Sequence, residues 1–162
     1  MSDYPSSVMM LGDLLGVGAI SSRVTAANKR QALGVVAEIA ARIYDLQAPR
    51  VFDAIMEREA VSTTGVGHGV AIPHAPIEGL TRLRGVFIRL SPAVDFGAMD
   101  DEPVDLIFTL LSPPGAGSEQ LRALARIARA LRRAELRVQL RQALGPDALR
   151  ALLDRDVQSS AA

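Results

Sequence analysis

The first strong periodicity in the chain lies between residues 28 and 44. Ala32, Leu33, Val36, Ile39, Ala40 and Ile43 recur at three- and four-residue spacing, while Lys29, Arg30, Glu38 and Arg42 fall mostly between them. That stripe predicts an amphipathic helix, and Asn28 stands where its N-cap belongs. Pro49 suits the first turn of a second helix, with Val51, Phe52, Ile55 and Met56 facing inward and an end near Glu59. Upstream, Leu11 to Leu15 reads as a short helix and Ile20 to Val24 as a strand. After the second helix comes a turn rich in hydroxyls and glycine: Ser62, Thr63, Thr64, Gly65, Gly67 and Gly69. Three strands are then predicted, Gly69 to Ala75, Gly85 to Leu90 and Val104 to Leu111. The last is almost continuously apolar, the pattern of a central strand covered on both faces. Pro113-Pro114-Gly115 stops it, and a long helix follows from about Ser118 to Arg133. Its inner stripe is Leu121, Leu124, Ile127, Ala128 and Leu131, and its outer one Arg122, Arg126, Arg129 and Arg133. Two shorter helices close the chain, one from Glu135 to Leu144 and one starting at Pro146. Helices flanking a cluster of strands, with helix-strand and strand-strand neighbours both present, predict an α/β layered domain with a mixed sheet.

Composition narrows the possible functions. A length of 162 residues suits a single domain with one core. Apolar residues make up 49 % and charged residues 22 %, which places the chain among globular and not disordered sequences. The formal net charge is zero, so no global field draws nucleic acid or an anionic membrane. The arginine stripe of residues 118 to 133 lacks the interleaved aromatics of a nucleic-acid groove and reads as a solvated helix face. The absence of cysteine excludes disulfides, thiolate metal sites and thiol catalysis. No apolar run approaches the roughly 20 residues of a membrane span. The first residues lack the basic start and apolar core of a signal peptide, so a cytoplasmic location without membrane insertion is expected.

The chain has two histidines, His68 and His74, and both fall in one glycine-dense segment. Histidine is the side chain best suited to act as nucleophile or proton carrier near neutral pH. His74 follows Pro73 at the end of an apolar strand candidate, where a rigid element can hold a side chain that still faces solvent. Glycine-rich turns can offer inward-pointing N–H groups to an anion, and Ser62, Thr63 and Thr64 add hydroxyls. From spacing alone, His74 is either such a nucleophile or a surface histidine at a strand end. Other chemistries fit poorly. Gly65-x-Gly67-x-Gly69 precedes a strand and lacks the dinucleotide fingerprint's third spacing. No Gly-Lys-Ser or Gly-Lys-Thr is present, and no Gly-x-Ser-x-Gly. Zinc needs about three protein ligands, and two histidines six apart with no adjoining carboxylate do not supply them. Asp95, Asp100, Asp101, Glu102 and Asp105 could suggest a cation site, but a solvated loop between strands is the preferred reading.

Two blocks carry a more specific signal. Residues 58 to 74, Arg-Glu-Ala-Val-Ser-Thr-Thr-Gly-Val-Gly-His-Gly-Val-Ala-Ile-Pro-His, resemble the active-site segment of the fructose/mannitol-type enzyme IIA proteins of the bacterial phosphotransferase system. Within that group the nitrogen-regulatory branch is the most similar. The second block is residues 94 to 108, Val-Asp-Phe-Gly-Ala-Met-Asp-Asp-Glu-Pro-Val-Asp-Leu-Ile-Phe. The similarity runs from about residue 10 to residue 153, which sets the expected domain at 10–155 between tails at 1–9 and 156–162. It implies a single-domain fold with a mixed five-stranded sheet flanked by helices on both faces. It implies that His74 accepts a phosphoryl group from a phosphorylated histidine carrier protein, with Arg58 offering a planar fork of donors to the phosphoryl oxygens. Thr63, Thr64, Gly65, Gly67, His68 and Gln120 are the expected phosphoryl pocket. Val66, Ile72, Pro73, Ala75 and Leu121 are the expected docking surface. No metal, nucleotide or other cofactor is implied, because the phosphoryl arrives already activated.

The chain departs from the family pattern twice. Gln120 stands where related proteins often carry a second histidine, and His68 where the nitrogen-regulatory branch usually has asparagine; His68 is expected to serve the turn. The leading functional expectation is a regulatory phosphoryl acceptor whose two forms bind different targets, such as transporters or kinases. The alternatives are a transport-type IIA that passes the phosphoryl to a sugar-specific IIB protein, and a binding module that keeps the fold without the chemistry.

Overall fold

The periodic stripe at residues 28–44 becomes α1 (Lys29–Tyr44) in the computed structural model, which describes residues 10–161, and side chains for 10–155. Its start is set by Asn28, whose Oδ1 accepts the Gln31 N–H at 2.9 Å, while Gln31 Oε1 accepts the Ala27 N–H at 2.8 Å. One first-turn donor and the N–H of the residue before the cap are satisfied in this way. Asp45, in the left-handed region at φ 56°, ends the helix. A short link leads to α2 (Ala48–Val61), with Pro49 in its first turn. Val51 and Ile55 of α2 are buried, while Phe52 and Met56 are partly covered at its flank.

The strands are β1 (Leu15–Val24), entered through a single 3-10 turn at Leu11–Leu14, then β2 (Gly65–Gly67), β3 (Val70–Ala71), β4 (His74–Pro76), β5 (Arg84–Val94) and β6 (Val104–Ser112). They form one mixed sheet in the order β1-β5-β6-β3-β2, with β4 also pairing with β6. β5 and β6 are antiparallel, whereas β1 runs parallel to β5, and β3 and β4 run parallel to β6. The single strand expected at residues 69–75 is therefore two, divided at Ile72-Pro73, where proline has no N–H to continue a ladder. β3 and β4 lie end to end along one edge of β6, so the sheet is five positions across but has six strands.

β6 is the central strand its apolar run predicted, and its residues alternate between two cores. Ile107 and Leu111 join Val86 and Ile88 beneath α1 and α2. Leu106, Phe108 and Leu110 join Phe87 on the other face, beneath α3 (Gly117–Leu131), α4 (Ala134–Gln142) and α5 (Pro146–Ala161). One helix detail differs from the pattern. α3 buries Ala123, Ile127, Ala130 and Leu131, while Leu121, expected on the inner stripe, is 69 % exposed. Small side chains at 123 and 130 take the positions facing the sheet, and Leu121 in the first turn projects outward. The expected tail at 1–9 lies outside the described residues, and 156–161 are described only as the backbone end of α5. No helix among the described residues is long and apolar enough to cross a membrane.

Candidate functional site

His74 opens β4, and its register partner on β6 is Leu110. The strand is strapped at both ends: Leu110 N–H donates to the Pro73 carbonyl at 2.9 Å, and Ile77 N–H to the Ser112 carbonyl at 2.8 Å. The imidazole is half-buried, with Nδ1 2.9 Å from the Ile72 carbonyl oxygen. A carbonyl can only accept, so this contact assigns the proton to Nδ1 and leaves Nε2 with a lone pair. The outer edge of β4 carries no strand among the described residues. A rigid backbone thus presents one tautomer of a histidine at a sheet edge.

Two helix ends flank it. Arg58 lies in the last turn of α2, which packs against β4, and its Nη1 donates to the Ser62 carbonyl at 3.0 Å. Gln120 lies in the first turn of α3, where its Oε1 accepts from the buried Ser112 hydroxyl at 3.3 Å. Ser112 stands two residues beyond Leu110 on β6, so Ser112, Leu110 and His74 share one face of the sheet. The Ser112 bond occupies the amide oxygen, which leaves the NH₂ group as the donor end of the side chain. Neither Arg58 nor Gln120 is hydrogen-bonded to His74 itself.

The hydroxyl- and glycine-rich segment is not the open cradle that its composition suggested. Gly65 and Gly67 belong to a β2–β3 hairpin, opposite Ala71 and Val70. Thr63 Oγ1 donates to the Phe96 carbonyl at 2.6 Å and accepts the Gly65 N–H at 3.1 Å. Thr64 gives its hydroxyl to Glu59 Oε1 at 2.6 Å and its N–H to Glu59 Oε2 at 2.8 Å. His68 gives its N–H to Asp100 Oδ2 at 2.8 Å. The hydroxyls of Thr63 and Thr64 and the main-chain N–H groups of Thr64, Gly65 and His68 are therefore committed inside the loop and are not free for an incoming anion. His68 sits at the hairpin turn with φ 58°, its ring exposed. Its carbonyl accepts Arg141 Nη2 at 2.6 Å, and Arg141 also pairs with Asp105 at 2.9 Å.

Sequence reading missed Glu59 and Lys29. Lys29 Nζ is 3.0 Å from Glu59 Oε2 and 3.0 Å from the Phe96 carbonyl, and it lies over the Phe96 ring. A signal was present: Glu59 continues the four-residue spacing of Val51 and Ile55, the buried phase of α2. Two acidic residues of the 95–105 stretch act as loop caps, while Asp105 pairs with Arg141. Asp95 accepts the Gly97 N–H, and Asp100 accepts those of His68 and Glu102. These main-chain bonds, that from His68 first, hold the Asp100 carboxyl below the usual carboxylate range. Among the described residues no group of three or more His, Cys, Asp or Glu is placed to hold a metal ion.

The expected docking residues separate into two groups. Val66 and Leu121 are exposed, whereas Ile72, Pro73 and Ala75 are buried. Ile72 and Ala75 point into opposite cores and support β4, so they offer no contact area to a partner.

Comparison with known proteins follows this geometry closely. The family model described as phosphoenolpyruvate-dependent sugar phosphotransferase system, EIIA 2, matches residues 13–156. The chain is 41 % identical over 145 residues to a nitrogen regulatory protein of Bradyrhizobium diazoefficiens, covering 90 % of this chain and 95 % of that one. It is 38 % identical over 104 residues to a fructose-specific EIIA component of the phosphotransferase system of Haloferax volcanii, covering 64 % of this chain and 66 % of that one. The crystal structure of nitrogen regulatory protein IIA-Ntr from Neisseria meningitidis superimposes with a TM-score of 0.83 at 32 % identity, covering 88 % of this chain and 98 % of that one. The mixed sheet, the order of the helices and the extent of the match agree: the chain belongs to the EIIA type 2 family of the phosphoenolpyruvate-dependent sugar phosphotransferase system.

Proposed function

We propose that the protein is a regulatory phosphoryl acceptor that takes a phosphoryl group on Nε2 of His74 from a phosphorylated histidine carrier protein. The observation that carries this reading is the Nδ1···O=C bond to Ile72, which leaves Nε2 as the nucleophilic nitrogen on an uncovered strand edge. In the transfer, the Nε2 lone pair forms a bond to phosphorus while the bond from phosphorus to the donor's ring nitrogen breaks. The donor imidazole leaves with that electron pair. The Ile72 carbonyl stays on Nδ1–H and stabilises the positive charge that develops in the ring. Arg58 is the charged fork offered from the α2 side, and its bond to Ser62 must open or be shared for the guanidinium to reach a phosphoryl oxygen. Gln120 supplies an amide donor from the α3 side. Positioning and charge stabilisation of this kind dominate phosphoryl transfer in general.

The consequence for regulation is electrostatic. A phosphoryl group adds about −1.5 to −2 charges at His74, which changes what can dock there. Likeness to a nitrogen regulatory protein over nine-tenths of the chain supports control of target proteins over sugar transport. Likeness to a fructose-specific EIIA component favours the second reading, in which the phosphoryl is handed onward to a IIB protein.

Incubation with a phosphorylated histidine carrier, followed by phosphorus NMR and mass mapping, tests the proposal. One acid-labile phosphate on His74, absent in His74→Ala, is expected. Phosphate on His68, or none on the wild-type protein, would refute it. Transfer from the phosphorylated protein to purified IIB domains separates the two roles; the regulatory reading expects little or none. Gln120→His is expected to leave phosphorylation intact and to change the lifetime of the phosphohistidine, followed as phosphate release over time.

A further inference from the structure

Glu59 is a carboxylate that the transfer step does not touch, yet it is almost completely enclosed, at 6 % exposure. Three donors are gathered around it. Lys29 Nζ and the Thr64 N–H converge on Oε2 at 3.0 and 2.8 Å, and the Thr64 hydroxyl donates to Oε1 at 2.6 Å. Lys29 is fixed in turn by the Phe96 carbonyl at 3.0 Å, which also accepts the Thr63 hydroxyl at 2.6 Å.

From Thr64 the bonds continue toward the site. The Thr64 carbonyl accepts the Ile72 N–H at 3.0 Å, and the Ile72 carbonyl lies 2.9 Å from His74 Nδ1. A series of hydrogen bonds therefore runs from the partly buried Lys29–Glu59 pair to the ring nitrogen opposite the nucleophilic one. The residue before Glu59 is Arg58, bound to the carbonyl of Ser62. Two consecutive side chains of α2 thus grip the same short loop, one at Ser62 and the other at Thr64. A buried ion pair is poor evidence of added stability, since well-packed apolar groups of like volume usually do as well or better. What this pair supplies is a fixed position for three donors on two oxygens.

We infer that Glu59, held by Lys29, is a positioning residue for His74. It sets the place of Thr64, and through it the Ile72 carbonyl, so that the imidazole is kept in one tautomer with Nε2 presented. The effect on transfer rests on the phosphoryl-acceptor reading above, whereas the tautomer is a property of the resting protein and does not.

The test uses the whole chain with Glu59→Gln, Lys29→Met and Thr64→Val, each checked for a cooperative melt. Nitrogen-15 spectra of the neutral imidazole are recorded on unphosphorylated protein. The wild type is expected to show a single tautomer protonated at Nδ1, and Glu59→Gln and Lys29→Met a mixture of two. With a phosphorylated histidine carrier as donor, kcat is expected to fall about 10- to 100-fold with KM little changed, the range found where residues that orient a metal-bound histidine from behind are removed. Thr64→Val keeps the backbone bond to Glu59 and is expected to lose less than either. If Glu59→Gln does not fold, Thr64→Val carries the test through the same two measurements. A folded Glu59→Gln, or in its place Thr64→Val, with one tautomer and an unchanged kcat overturns the inference. If the wild type accepts no phosphoryl at all, the functional reading fails, and the tautomer spectra alone decide the role of Glu59.

Discussion

His68 holds a backbone conformation, φ 58°, that costs a residue with a Cβ about 1–2 kcal/mol. Asp100 offsets part of that cost by accepting its N–H at 2.8 Å, and the same bond, with that from Glu102, holds the carboxyl below its usual range. A group whose folded value is depressed stabilises the fold fully above the ordinary carboxylate value, and that contribution is lost as pH falls through the lower, folded value. The His68 amide proton is therefore expected to shift upfield with acid, with its midpoint below the usual carboxylate range. In Asp100→Asn that step should be missing; an identical titration in the variant would assign it to another group. At this scale the sequence was legible in part. His74 stood out because it is one of only two histidines and lies in a glycine-dense segment. Glu59 did not, because a glutamate near the end of a helix reads as solvated. Only the fold brings it to Lys29, thirty positions away in the chain.

The β2–β3 hairpin shows why short elements escape the eye. Its strands are three and two residues long, too short for any alternation to register, and its glycines read as a turn. Longer elements were plain: α1 with its Asn28 cap, α2 with its early proline, and β6 with its apolar run all follow from composition and period. Gly69 is where the hairpin depends on having no side chain. Its φ is +79°, and a Cβ there would stand 2.4 Å from Arg141 Nη2, 2.9 Å from Asp105 Oδ1 and 3.4 Å from the Pro103 carbonyl. Gly79 has a similar conformation, at φ +99°, but open space around it. Gly79→Ala therefore isolates the conformational cost, about 1–2 kcal/mol. Gly69→Ala adds displacement of the Arg141–Asp105 pair and should cost clearly more. Urea denaturation of the two variants provides the comparison. Equal losses would show that the pair yields without cost and that the hairpin is not braced by α4.

Across the whole molecule, His74 is the end of a row. Leu15 of β1 pairs with Gly85 of β5, Gly85 with Leu110 of β6, and Leu110 with His74 of β4. Strand spacing puts the first and last of these about 14 Å apart. The far end of the row is tied down by side chains that no local pattern could have announced. Tyr44 Oη accepts the Gly16 N–H at 2.9 Å and donates to the Gly85 carbonyl at 2.6 Å. Arg150 of α5 donates to the carbonyls of Leu15 and Gly16 at 2.8 and 3.0 Å. Tyr44→Phe removes the hydroxyl and leaves the Gly16 donor unsatisfied in a partly buried place, a loss of about 1–3 kcal/mol. Burial, more than any neighbour, raises the Tyr44 hydroxyl above its ordinary pKa. The sign is then opposite to that of Asp100: its contribution is fully present below the ordinary tyrosine value and is lost as pH rises through the higher, folded one. The stability gap between wild type and Tyr44→Phe, measured by urea denaturation, should therefore be widest near neutral pH and narrow in strong alkali. Because the tether acts two and three strands from His74, phosphorylation of the variant well below its melting temperature should match the wild type. A slower transfer in a folded Tyr44→Phe would mean that the row itself, and not only the Glu59 bonds, sets the position of the histidine.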